Sequence, residues 1–414
     1  MDPYLLISIA ILAIVAFFSS LLLTIVFMKL RRQVKENQIQ RRRDILEPRI
    51  LEYGRAQGAS VRDYLAGIQV AGDEEPLRRI LMDHIRTVRG MVRERLVRAC
   101  EELGLVQDAI RLLESSQAWV RGAAAEDLGR MRSETSVEAL VQAMEDPVSD
   151  VRMRAAQSLG TIGGRAAANQ LVGFFRQPDR WSGIRIADIL TSMGEETVEE
   201  LLREFHNIPE QSRTLAIDVL GRVRSLSAIP LLRELLHDES TDVRARAADA
   251  LGQIGDPNTA SRLMDALEDD SWQVRAIAAK SLGRLPGIQS LDALCRALTD
   301  AQWWVRANAA EAIKAKGEPG HKALLGMLDS HDVYAREQAV FMLEESGVLD
   351  TYLDQLGSKR DDDRVQAVNF INKLVLLERT DRLTEAAHKH PDRNVREDLL
   401  NLLGISPSGL GEST

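Results

Sequence analysis

Seven histidines, two cysteines and five tryptophans are the side chains of this 414-residue chain whose types could carry chemistry, and their spacing decides what kind. A tightly held metal needs three or four imidazole, thiolate or carboxylate ligands at one point. His237-Asp238 and His331-Asp332 come nearest to ligand pairs, yet 94 positions separate them. His84, His206, His321, His388 and His390 complete no set, and only His388 with His390 could hold a cation weakly. Cys100 and Cys295 are too few for a disulfide framework or a four-cysteine zinc site, which fits a reducing compartment. Each sits in an Ala/Leu-rich stretch, where a small core thiol is expected in place of a nucleophile. Neither a Gly-x-Ser-x-Gly elbow nor a Gly-x-x-x-x-Gly-Lys phosphate loop occurs. The expectation is a chain without catalytic residues, cofactor, bound metal or small-molecule substrate.

The tryptophans are more informative. Trp119, Trp181, Trp272, Trp303 and Trp304, with Tyr334, all fall just before a recurring Val-Arg step or its equivalent. Indoles supply large contact areas and dominate protein interfaces, so these six are the candidate partner-binding residues. The competing expectation is that each closes an apolar seam between repeats. The arginines of that step are Arg121, Arg152, Arg213, Arg244, Arg275, Arg306 and Arg336, followed by Arg364 and Arg396, with Gly183 taking the place in one unit. Their forks are expected to form a structural ladder with loop carboxylates such as Asp150, Asp242 or Asp269.

These residues must be positioned by the unit that repeats around them. VRGAAAEDL from Val120, VRMRAAQSL from Val151, VRARAADAL from Val243, VRAIAAKSL from Val274 and VRANAAEAI from Val305 recur about every 31 residues. Within one unit Val243, Ala247, Leu251 and Ile254 fall on a single helical stripe. Gly255-Asp256-Pro257 then supplies a helix-ending glycine and a proline suited to the next first turn. A second segment over 259–267 carries Leu263, Ala266 and Leu267, so each unit reads as a helical hairpin. Leu-Gly pairs at 128-129, 159-160, 220-221, 251-252, 282-283 and 403-404 place glycine where it costs a helix about 1 kcal/mol, which points to close approach of a neighbouring backbone. About ten such hairpins predict an all-α solenoid, and 4% aromatic residues suit Ala- and Leu-lined packing.

The pattern D-x-V-R-x-x-A-A-x-x-L-G-x-x-G over roughly residues 90–403 resembles HEAT repeats of the phycobilisome-lyase-like type. That resemblance implies a bacterial solenoid of stacked two-helix units. Its relatives include scaffolds, bilin-handling proteins, iron-dependent deoxyhypusine hydroxylases and a DNA glycosylase group. The hydroxylases hold iron through His-Glu pairs, a dipeptide this sequence lacks. A bilin lyase-like or metal-dependent hydroxylase-like enzyme is therefore the alternative, and a scaffold for protein partners the primary expectation. Acidic residues outnumber basic ones 62 to 53, and beyond residue 50 the balance is 58 to 45. This opposes nucleic-acid binding, which rests on phosphate neutralisation.

The N-terminus adds an expectation about location. Pro3 to Met28 runs 26 residues without a charge, roughly 39 Å as a helix against a hydrocarbon core of about 30 Å. Lys29, Arg31, Arg32, Lys35, Arg41, Arg42 and Arg43 follow it, and Asp2 is the sole earlier charge, unlike a cleaved signal. By the positive-inside rule, residues 3–28 are expected to be a single transmembrane helix of the inner (plasma) membrane, with the N-terminus outside. A basic juxtamembrane stalk and connector over 29–75 follows, its helical pattern stopped by Pro48. The cytoplasmic solenoid spans 76–404 and a disordered tail 405–414. An accessory role in an envelope-polysaccharide or secretion assembly fits that placement.

Overall fold

The computed structural model of the chain describes residues 3–56, 58, 60–66, 74–176 and 183–405, and of these 3–19, 32, 35, 74 and 75 by backbone alone. All regular structure among them is helical. The backbone falls into two units, Met1–Gly173 and Phe174–Thr414. The first carries helices Pro3–Arg55, Val61–Tyr64 and Glu74–Thr87, then three hairpins that begin at Met91, Ala118 and Ser149. The second carries seven hairpins, beginning at Gly183, Glu210, Thr241, Trp272, Trp303, Val333 and Asp361, and closes with a lone helix, Arg393–Leu402. The tail from residue 406 lies outside the described residues.

One hairpin shows why the sequence folds this way. Its leading helix, Thr241–Ile254, buries Val243, Ala247, Ala248 and Leu251. It stops at Gly255, whose φ of 79° is left-handed and whose N–H returns to the Leu251 carbonyl. The Asp256 carboxylate then accepts from the Asn258 N–H, and Pro257 opens the short turn that leads into the trailing helix, Ala260–Asp265. Consecutive leading helices pack on one another, Ala118–Met131 on Ser149–Ile162 in the first unit and Glu210–Val223 through Trp303–Lys314 in the second.

Two expectations about the N-terminal region are corrected. Among the described residues no helix is long and apolar enough to cross a membrane. The expected span over 3–28, and with it the single-pass inner-membrane placement, is therefore not sustained. From Lys29 onward the same continuous helix is studded with charge, and the side chains of its first turns, 3–19, lie outside the described residues. Nor does Pro48 interrupt the helix, which runs through it to Arg55. Proline removes one backbone donor, but here the flanking Leu46, Ile50 and Tyr53 are buried and hold the helix across the gap. Arg43 bridges to Asp83 at 2.8 Å, His84 meets Glu47 at 2.6 Å, and the Arg95 guanidinium lies 4.3 Å over the Tyr53 ring. Residues 43–55 thus pack as part of the first unit and do not stand free as a stalk.

The recurring arginine joins successive hairpins. Arg244 donates through Nε and Nη2 to both carboxylate oxygens of Asp269, at 2.8 and 2.9 Å, and through Nη1 to the carbonyls of Asp238 and Glu239. Arg275 does the same with Asp300 and the carbonyls of Asp269 and Asp270. Arg121 does so with Asp146 and the carbonyls of Ser115 and Ser116. Each aspartate sits 25 residues beyond its arginine, at the start of the next hairpin. Asp150 instead pairs with Arg154, and Asp242 has no arginine of the ladder. Arg152, Arg336 and Arg396 make the carbonyl bonds of the pattern, and Arg213 donates to the Ile208 carbonyl.

Gly129, Gly221, Gly252 and Gly283 lie where leading helices cross, whereas Gly404 follows the last helix in a left-handed conformation and a Cβ there would meet nothing within 4 Å. A Cβ on Gly252 would stand 2.8 Å from the Ser281 Cα, and one on Gly221 2.8 Å from the Ala250 Cα. Backbone that close cannot be relieved by a rotamer change. Gly252→Ala is expected to lose about 1–3 kcal/mol through overpacking, outweighing a helix-propensity gain of at most about 1 kcal/mol. Gly326→Ala, where a Cβ meets nothing within 4 Å, is expected to gain stability instead. Urea unfolding midpoints for the two variants should move in opposite directions; movement in the same direction would refute the close-crossing account.

The ladder also predicts acid sensitivity. The Arg121 hydrogen bonds hold Asp146 below the usual carboxylate range. Burial pushes Asp269 and Asp300 up, but their bonds from Arg244 and Arg275 and from backbone N–H groups outweigh it and hold both below that range. A depressed folded-state pKa contributes stability that is complete above the unfolded value of about 4 and is lost as pH falls through the lower folded value. Thermal melts should therefore fall steeply below about pH 4. Asp269→Asn should melt lower at neutral pH and lose less on acidification. An unchanged acid slope in this variant would show that the pair contributes nothing.

Candidate functional site

The aromatic residues singled out in the sequence part company in three dimensions. Trp119, in the first unit, is 73% exposed at the start of helix Ala118–Met131. Trp272 is half-buried, and Trp181 lies outside the described residues. Trp303, Trp304 and Tyr334 form the one concentrated surface feature among these six, at 51%, 57% and 58% exposure.

The fold sets this cluster in place. Trp303 and Trp304 are the first two residues of helix Trp303–Lys314, whose buried face is formed by Val305, Ala309, Ala310 and Ile313. Residues before Val305 fall off that face, so both indoles project at the helix start and meet edge to face, with centroids 4.7 Å apart. Val333 and Tyr334 occupy the same two positions of the next leading helix, Val333–Glu345, and Val333 is exposed as well. The Asp332 carboxylate anchors that helix start by accepting from the Ala335 N–H at 2.8 Å. Between the two pairs lies Arg306, 7% exposed, its guanidinium 4.4 Å from the centroid of the Tyr334 ring.

Arg306, like Arg213 and Arg336, lacks the paired aspartate of Arg121, Arg244 and Arg275, a departure the sequence analysis did not single out. Its Nη1 donates to the carbonyls of Asp300 and Ala301 like its counterparts. Its Nε is buried without a partner. The residue that should supply the carboxylate, six positions before the next arginine, is Ser330 where other loops have Asp146, Asp269 and Asp300. The Ser330 hydroxyl accepts from the Asp332 N–H at 3.2 Å, and its carbonyl takes Arg336 Nη1. The signal was present in the repeat as a serine where Asp238, Asp269 and Asp300 stand in the three preceding loops.

The remaining polar candidates stay apart. His388 Nδ1 meets the Thr384 carbonyl of its own helix at 2.7 Å, and His390 lies 3.5 Å from Asp354 of the preceding hairpin. Among the described residues no three His, Cys, Asp or Glu side chains are grouped to hold a metal ion. Burial pushes the Cys100 thiol up to about 12 and raises Cys295 as well, which disfavours the reactive thiolate in both. Two open hollows, one lined by Asp44, Glu47 and Arg55 and the other by Asp354, Ser358, His390 and Asp392, include none of the aromatic candidates.

Known proteins place the fold. No curated protein matches the chain significantly in sequence. The CpcE and CpcF complex of phycocyanin lyase from Nostoc sp. PCC7120 is similar over 58% of this chain and 94% of that one, at 22% identity and a TM-score of 0.27. An engineered protein is similar over 87% and 98%, at 17% identity and a TM-score of 0.28. The karyopherin Kap121p bound to Nup53p is similar over 88% of this chain and 49% of its own length, at 13% identity and a TM-score of 0.42. The profile of HEAT repeats matches residues 106–190, 198–283 and 260–344, more than half of the chain, spanning the arginine ladder and both halves of the aromatic cluster. The chain belongs to the HEAT-repeat family.

Proposed function

We propose that this chain is a protein-binding scaffold, without a catalytic step of its own, and that its partner docks on the edge formed by Trp303, Trp304, Val333 and Tyr334. The observation that carries this reading is the exposure of two adjacent indoles on a fold with no shortage of apolar core. Water-exposed aromatic clusters mark interaction surfaces, and tryptophan and tyrosine are the residue types that most often dominate them energetically. Because both indoles hang off helix starts, they are held in place by a rigid element and lose little freedom on binding. An accessory subunit that organises a larger assembly suits such a surface.

The double variant Trp303→Ala/Trp304→Ala tests this. Both side chains are more than half exposed, so the melting temperature should change little. Crosslinking pull-downs from source cells should lose, by roughly tenfold or more, the proteins that the unaltered chain captures. An unchanged set of captured proteins, or a collapse of the fold, would overturn the assignment and return the indoles to a packing role.

A further inference from the structure

The gap in the arginine ladder falls inside the aromatic cluster, and we propose that Arg306 receives there the side-chain carboxylate of an aspartate or glutamate on the partner. This deepens the scaffold reading above and rests on it. Three arginines of the same register, Arg121, Arg244 and Arg275, each present Nε and Nη2 to an aspartate in the next loop, with Nε distances of 2.6, 2.8 and 2.7 Å. Arg306 keeps the rest of that arrangement, including both carbonyl bonds from Nη1, yet Ser330 leaves its fork without a carboxylate and its Nε without any acceptor. An arginine more than nine-tenths buried with an unmet N–H is costly to maintain, since a buried donor without a partner forfeits about 1–3 kcal/mol, more when charged.

The chemistry of the missing group is defined by the three occupied sites. It is a planar anion with two oxygens, able to lie in the guanidinium plane and take two parallel hydrogen bonds. Nε is closed off from solvent, so the ligand enters only as a covering side chain moves, and Tyr334 packs against the guanidinium at 4.4 Å. Being 58% exposed, its ring has room to shift as the ligand enters. Trp303, Trp304 and Val333 add exposed apolar surface at the starts of the two helices that carry Arg306 and Tyr334. The matching partner is therefore a peptide segment with an acidic residue flanked by apolar ones.

Ser330→Asp makes a direct test, because it would supply internally the carboxylate found in the other loops and so compete with the ligand. Ser330→Asn has the same size without the charge. The probe is a random peptide library displayed on phage and selected against the full chain, with recovered peptides remeasured in solution. Expected are peptides with Asp or Glu at one fixed position beside apolar residues, weakened about tenfold or more by exchange to Asn or Gln. Ser330→Asp should abolish their binding while melting at or above the temperature of the unaltered chain, and Ser330→Asn should retain it. Recovery of no peptide, binding that survives Ser330→Asp, or peptides whose only carboxylate is the C-terminus would overturn the assignment. Peptides without an acidic position that still depend on Trp303 and Trp304 would overturn it while leaving the scaffold reading intact.

Discussion

An aspartate shared between two arginines fixes how one hairpin sits on the next. At Asp269 the two carboxylate oxygens take the fork of Arg244, Oδ1 also takes the Ser271 N–H that begins the following helix, and the carbonyl takes Nη1 of Arg275. Asp300 repeats this between Arg275 and Arg306. A residue with three such duties tolerates little change in the length of its loop, which keeps the arginines at nearly constant spacing. Both partners are largely shielded from water in these pairs. That distinguishes them from exposed pairs such as Lys322 with Glu318, which contribute little because solvent screens them.

The register set by those nodes is what allows the leading helices to cross so closely. Where Gly252 faces Ser281 and Gly283 faces Ala312, only hydrogen, methyl or hydroxymethyl side chains fit. The paired alanines, such as Ala247 with Ala248 and Ala278 with Ala279, fill the rest of the seam. A core of this kind has no room for an indole. Trp303 and Trp304 are exposed because they sit off the buried face at a helix start, while Tyr53, Phe175 and Phe205 are buried elsewhere in the chain.

Much of this was legible in the sequence because it is repeated. The Val-Arg step, the alanine pairs and the Leu-Gly crossings recur in several units, and the Gly255-Asp256-Pro257 turn follows from the local rules of helix ends. What the repeat could not show is which loop a fork reaches. Asp150, two residues before its arginine, is taken by Arg154 in the same helix, while Asp269, six before its own, stands opposite the arginine of the hairpin before. Non-repeated segments misled more. Pro48 reads as a helix stop, but burial of Leu46, Ile50 and Tyr53 outweighs one lost backbone bond. The uncharged run over 3–28 reads as a membrane span, whereas no helix of the described residues meets that requirement. For the aromatic residues, spacing showed a shared position before each Val-Arg step but not that Trp272 is half-covered while Trp303 and Trp304 stand clear.

A repeat fold makes its own exceptions informative, because the units that keep the local rule show what it would have supplied. Serine at 330 forgoes a bidentate ion pair that three other loops keep, and nothing in the hairpin requires it, since the Asp332 N–H would be served equally well by an aspartate, as the Ser271 N–H is by Asp269. The compensation is Tyr334, whose ring against the Arg306 guanidinium contributes about 0.5–2 kcal/mol. A carboxylate from the protein's own loop would hold Arg306 by its Nε and Nη2 edge and close it. A ring attracts it without accepting a hydrogen bond from Nε, which stays unmet. The two substitutions together keep the arginine fixed and its hydrogen-bonding capacity unspent, a combination that serves recognition and that packing alone does not call for.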